Sequence, residues 1–467
     1  MDVLAQRVTA FEVEYHQNLQ ALAAESEQAG NVEAAARIRA LMPERVRDTL
    51  YVPRFPREVQ PPLDELEDWE QRFRAIRSEY AQQLYEVVRT ATRQGWPTFA
   101  FHHAMSVLQA DPDFQPIRRM LGQRLHNGQW HTEWEIAQLR RNFVDHPQFG
   151  WIPPTHVARM EDGQRLVGTR WMSEEDDIAR HGQSVVNGWQ IETEHYAVRT
   201  NHSIEEAVRI ARRLEEFHFA WHLMFFRYVH DEQRLMEILH GRRSLFDHGR
   251  QPKHGIVLFK SRSDFGETLS SVLPGLPAEL AQKGIGYFSE QTLAAYFFVP
   301  DGDPEEQRDA RQAVYHEAAH QLFFRHRPPL VARPTGQNAW AKEAMPLYLE
   351  SFRVEGEYYL FGGPDEIRLI SAKRRFLDRN EHVPIASLAQ RTQRQLESDP
   401  AIQDLYAQFS GMGYFFIHAE NGRYRNAFIV FLFHLYAGDD SVERFLSLMQ
   451  RTGPELDAAY GNYMRSP

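Results

Sequence analysis

The stretch Tyr315-His316-Glu317-Ala318-Ala319-His320-Gln321-Leu322-Phe323-Phe324 decides how the rest of the chain is read. Upstream, Asp303-Pro304-Glu305-Glu306 is a strong helix start, with Asp at the N-cap, Pro at the first helical position and Glu three residues after the cap. Downstream, Pro328-Pro329 stops the helix, so a helix is expected from Pro304 to about His326. His316 and His320 are four residues apart and project from one face, close enough to share one metal ion. Glu317 lies beside them, placed to take a proton from a metal-activated water. Ala313, Val314, Ala318, Leu322, Phe323 and Phe324 make the helix apolar on more than one side, which implies burial. Unpartnered polar side chains on a buried helix cost roughly several kcal/mol, and a bound ion removes that cost. The competing reading is a hydrogen-bonded polar core.

Two residues compete to be the third ligand. His326 stands at the third-histidine spacing of H-E-x-x-H-x-x-G-x-x-H, but Phe323 occupies the Gly position. The helix therefore continues, and His326 points away from the metal face, as a histidine favoured at a helix C-terminus by the dipole. The segment Trp340-Ala341-Lys342-Glu343-Ala344-Met345-Pro346-Leu347-Tyr348-Leu349-Glu350 reads as a second helix, and Glu343 is its natural oxygen ligand. Two His and one Glu leave a fourth position open, the arrangement of a catalytic zinc. Glu350, seven residues on, shares the face of Glu343 and could orient a ligand.

The chain has 467 residues and no Cys, so only His, Asp and Glu can hold a metal. Its formal net charge of -11 argues against a nucleic-acid partner. No apolar run is long enough to span a membrane; Ala427 to Tyr436 is the most hydrophobic and is broken by His434. The start MDVLAQRVTAFEVEYHQ is not a secretory signal, which makes the cytoplasm the default expectation.

Leu4 to Ala24 and Val32 to Leu41 predict a helical hairpin around Gly30-Asn31, and Leu63 to Arg93 predicts a long helix ended by Gly95-Trp96-Pro97. Tyr51 to Pro62, with four prolines, reads as a linker or loop. HVARMEDGQRLVGTRW alternates around Asp162-Gly163, which predicts a two-residue hairpin turn. Strands are expected at Glu194 to Thr200, Ile256 to Phe259, Gly286 to Ser289 and Ala294 to Val299. Ser203-x-x-Glu206 opens a helix to about Tyr228, and another lies around Ser263 to Val272. The fold class is therefore α+β and mainly helical. Residues 1–130 form a helical N-terminal region, 131–187 a small β-hairpin-containing connector, and 188–467 the catalytic domain.

On these residues the chain resembles the gluzincin superfamily, in which H-E-x-x-H is followed by a helix of the form W-x-x-E-G-x-A-x-Y-x-E. It is similar, more closely, to a bacterial domain family of unknown function regarded as peptidases. That resemblance covers about Glu194 to Tyr463 and includes EHYAVRTNHS, GYFSEQTLAAYF, HEAAHQLFF, HVPIASL, LYAQFSGMGYFFIH and ELDAAY. It implies a zincin-like domain with a small mixed sheet, an active-site helix and a helical C-terminal subdomain. It further implies Zn2+ on His316, His320 and Glu343, with Glu317 as general base. Ala344 replaces the family's Gly and Pro346 its Ala, so the second helix is expected to kink or to start later.

The activity expected is hydrolysis of amide bonds in a peptide or protein substrate. Gluzincins commonly stabilise the oxyanion with a Tyr or His beyond the third ligand, and Tyr406 is the candidate here, against a plain core aromatic. The Gly286-Tyr287-Phe288 strand is a candidate sheet edge for an extended substrate, against the equal alternative of an ordinary interior strand. Two rivals stand beside this reading. One is a zinc-retaining scaffold whose N-terminal helices bind a protein partner; the other is a metallohydrolase of a non-peptide bond.

Overall fold

In the computed structural model, which describes residues 2–42, 44–247, 252–272, 284–300, 304–379 and 382–466, the four strands expected in the second half assemble with an unexpected fifth, Trp189–Glu192, into one sheet. Its order is Gly286–Ser289, Ala294–Phe298, His254–Phe259, Tyr196–Thr200, Trp189–Glu192. The three inner strands run parallel and both edge strands are antiparallel to their neighbours. Parallel neighbours need crossovers, and the helices Ile204–Met224 and Arg262–Val272 lie between them in the chain. All five residues of Ala294–Phe298 are buried, as expected of an inner strand covered on both faces. Ser203 caps the first crossover helix by accepting from the Glu206 N–H.

Beside this sheet, the molecule is a mainly helical α+β protein. Asp2–Gln28 and Val32–Arg39 form the expected helical hairpin, packed against the long helix Asp68–Arg93. The largest hydrophobic cluster contains residues from Leu4 to Met464, so the N-terminal helices share a core with the C-terminal ones. Thr49–Pro53 is a strand, not a linker. It pairs with Tyr358–Gly362, which in turn pairs with Arg353–Glu355. Its place at the edge explains why prolines on either side are tolerated.

The region around 123–181 contains three successive hairpin-plus-helix units where one hairpin is expected. Hairpins Gln123–His126/Gln129–Thr132, Val144–His146/Gly150–Ile152 and Gln164–Val167/Arg170–Ser173 precede helices Glu133–Arg140, Pro154–Glu161 and Glu174–His181. Asp162-Gly163 is not the hairpin turn. It joins a helix to the next strand, and the reversal falls after Val167 with Gly168 at a φ of 64°. His156 to Met160 lies inside a helix because Pro153-Pro154 starts it, and this outweighs the local alternation. Trp130, Trp151 and Trp171 sit in the second strand of each unit, and Thr132 and Ser173 cap the helices that follow. That Trp-x-cap spacing is the repeat signal in the sequence.

The helix bearing His316 and His320 runs Pro304–Arg325, ending within a residue of the expected stop; the expected N-cap, Asp303, lies outside the described residues. The second helix spans Trp340–Leu349 and passes through Pro346 without starting later. Glu343 is in its first turn, ahead of the missing Pro346 donor, so the substitution does not displace it. The loop before this helix is tied down by Asp440, which accepts from Thr335 N, Thr335 Oγ1 and Gly336 N at 2.7 to 2.8 Å. Trp340 is fully buried, stacked on Phe416 and Phe428 with ring centroids 5.7 and 5.9 Å away. Trp340→Ala is expected to destabilise the fold by about 3–5 kcal/mol, read as a lower denaturant midpoint.

Candidate metal centre

The helix bearing His316 and His320 is pinned to the sheet by its own side chains. Ala318, Ala319 and Leu322 are buried beneath it. Gln321, also buried, donates through Nε2 to the backbone oxygens of Gly255 at 2.9 Å and Leu293 at 3.0 Å. This pair of bonds sets the rotation of the helix against the sheet, so the opposite face presents His316 and His320. Helix Ile402–Gly422 closes on the Glu343 helix at Gly413, where a Cβ would lie 2.5 Å from the Ala344 carbonyl oxygen. Only glycine allows that approach.

These constraints bring His316, His320 and Glu343 to one point, with one atom from each within 4.8 Å of the others. The two Nε2 atoms are 3.2 Å apart, and each is 3.6 Å from Glu343 Oε2. A tetrahedral zinc with ligand bonds of about 2.0–2.1 Å has ligand-to-ligand edges of about 3.3 Å, so the spacing fits that ion. Side-chain exposures of 15%, 19% and 14% show that the three donors retain a side open to solvent. A further ligand or a substrate atom has access there.

His316 is oriented from behind. Its Nδ1 lies 2.8 Å from Glu350 Oε1, and since a carboxylate only accepts, Nδ1 carries the proton and Nε2 faces the site. Glu350 is buried and is itself held by Arg368, whose Nε and Nη2 donate at 2.7 and 3.1 Å. The role anticipated for Glu350 is met in geometry; Arg368 lies 18 residues further on with no local pattern to announce it.

Glu317 is half-buried beside the ligands. Burial raises its carboxyl pKa, opposed by the charges of His316 and His320 and by a hydrogen bond from the Phe288 backbone. Strand Gly286–Ser289 comes so close that a Cβ at Gly286 would lie 2.8 Å from Glu317 Cγ. That strand is the edge of the sheet among the described residues, as expected.

Tyr406 is half-buried on helix Ile402–Gly422. Burial raises its phenol pKa, and the carboxylates of Glu343 and then Glu317 raise it further, so it stays a neutral hydroxyl within electrostatic reach of both. Tyr436 and Tyr287, not singled out in the sequence, are also raised by burial and then by one site carboxylate each, Glu343 and Glu317 respectively. Tyr406 alone of the three senses both. His326 is not at this centre; it packs against His222 and Trp221, with ring centroids 4.8 and 5.7 Å away.

Burial pulls His316 down, but hydrogen bonds to Glu343 and Glu350 outweigh it and push its pKa up to about 10. A proton and a cation therefore compete for this ring. Below a pH of about 10 the proton is bound, so metal affinity should fall by about tenfold for each unit of acidification. Calorimetry at pH 8 in buffers of different ionisation enthalpy is expected to register about one proton released from His316 per ion bound.

A scan against protein-family models matched none, and a search of curated proteins gave no match. The site is read from its own geometry. Among the described residues, no helix is long and apolar enough to cross a membrane.

Proposed function

We propose that the chain is a zinc-dependent hydrolase of gluzincin type, acting on amide bonds of peptides or proteins. The observation that carries this reading is the donor triangle of His316, His320 and Glu343 at 3.2 to 3.6 Å, with a carboxylate, Glu317, beside it that is not one of the donors. When bound there, a zinc ion supplies Lewis-acid polarisation of a carbonyl and acidifies a water. Glu317 takes the proton of the attacking water and passes it to the leaving amine. Tyr406 offers a neutral donor to the developing oxyanion. The strand Gly286–Ser289, at the edge of the sheet among the described residues, offers a place for an extended chain to align, which favours a peptide as the substrate. A structural site has no use for Glu317, which counts against the scaffold reading.

The test is metal content of the wild type and Glu343→Ala by elemental analysis, with hydrolysis of a mixed peptide library and of model esters. Glu343→Ala is expected to lose one zinc per chain and all peptide cleavage. Zinc content unchanged by Glu343→Ala overturns the centre. Zinc with ester but no peptide cleavage moves the chain to another hydrolase class, and zinc with neither favours the scaffold.

A further inference from the structure

Away from the centre described above, a second group of histidines gathers in the interior, two of them buried and one half-buried. His218 on helix Ile204–Met224, His254 at the start of strand His254–Phe259, and His326 just after the active-site helix each bring a ring nitrogen within 4.8 Å of the other two. His218 is 1% exposed and His254 6%. Their ring centroids are 5.7 to 6.5 Å apart. His222 flanks them, 4.1 Å from His218 and 4.8 Å from His326 between ring centroids. On the other side His195 stacks on His218 at 4.0 Å, and its Nδ1 is 2.6 Å from Glu215 Oε2. Three chain segments far apart in sequence thus converge imidazoles on one buried point.

We infer that His218, His254 and His326 form a second metal site, separate from the hydrolytic centre, that takes a divalent zinc-class ion through imidazole nitrogen. An all-imidazole donor set without thiolate suits Zn2+, Cu2+ or Ni2+ and excludes the oxygen-seeking Ca2+ and Mg2+. Glu215 sets a carboxylate beside the cluster, moderating the cost of a buried dication. The ion clamps the end of the active-site helix to the sheet and to helix Ile204–Met224. Its role is to stabilise the fold, since His218 and His254 are buried and the nearby Glu215 carboxylate is already engaged by His195.

The experiment is zinc titration of the chelated full chain, with elemental analysis of the wild type, Glu343→Ala, His326→Ala and the double variant. His326 is chosen because it is the least buried of the three donors, and circular dichroism establishes that each variant folds. Two ions in the wild type, one in each single variant and none in the double variant is the expected result. In the Glu343→Ala background, zinc should raise Tm, and X-ray absorption should show only imidazole nitrogen and light-atom scatterers with no sulfur; both signatures should vanish in the double variant. One ion in the wild type and none in Glu343→Ala overturns this inference and leaves the hydrolytic centre standing. One ion in the wild type that persists in Glu343→Ala but not in His326→Ala supports the second site while the first reading fails. If His326→Ala does not fold, two ions against one in the wild type and Glu343→Ala still decide the question.

Discussion

Glu317→Gln should abolish peptide hydrolysis, lowering kcat/KM by about 10²–10⁴-fold, while the protein keeps its full zinc content. The separation is possible because the donor atoms at the centre belong to His316, His320 and Glu343, and Glu317 stands beside them. The amide is close to isosteric, so the approach of Gly286 to Glu317 Cγ is preserved and the change removes only the ability to accept a proton. The wild-type pH profile carries a matching signature. The acidic limb of kcat/KM that reports protonation of Glu317 should disappear from whatever residual activity Glu317→Gln retains. Undiminished cleavage by the variant would remove Glu317 from the chemistry, and lost zinc would make it a ligand.

Glu350→Ala is expected to weaken zinc binding by about 10–100-fold although Glu350 does not reach the ion position. Its carboxylate fixes the His316 tautomer and is buried, so its loss frees the ring to rotate and leaves Arg368 without its acceptor. Competition with a chelator gives the affinity directly. A positioning role makes a further demand that a purely structural one does not. Glu350 is one of the groups that raise His316, so its removal should lower the pH at which His316 releases its proton to an incoming ion. Retention of wild-type affinity would show that Glu343 and the helix hold His316 unaided.

The two predictions differ in how far they could be foreseen. Glu317 is adjacent to His316 in the chain, and helical geometry makes their relation local. Glu350 and Arg368 depend on where a second and a third helix pack. The same division runs through the fold. The helices that cap and stop on local residues, such as Ile204–Met224 with its Ser203 cap, are legible because the capping bond spans three residues. Thr49–Pro53 was hidden among prolines because its partner, Tyr358–Gly362, is some 300 residues away. The first and second hairpin units were missed because strands of three or four residues carry too little alternation to register, and the repeat of Trp130, Trp151 and Trp171 is their only strong mark.

By itself the sequence determined the helix Pro304–Arg325, the face shared by His316 and His320, the neighbouring carboxylate and the exclusion of His326 from that face, since each follows from spacing on a helix of known pitch. The tertiary structure decided what lies between elements: the 3.2 to 3.6 Å donor triangle, the Gln321 bonds that rotate the helix onto the sheet, the Arg368–Glu350–His316 chain, and the gathering of His218, His254 and His326. Those distances are set by side chains brought together from distant positions, and periodicity within one segment carries no information about the segment it will meet.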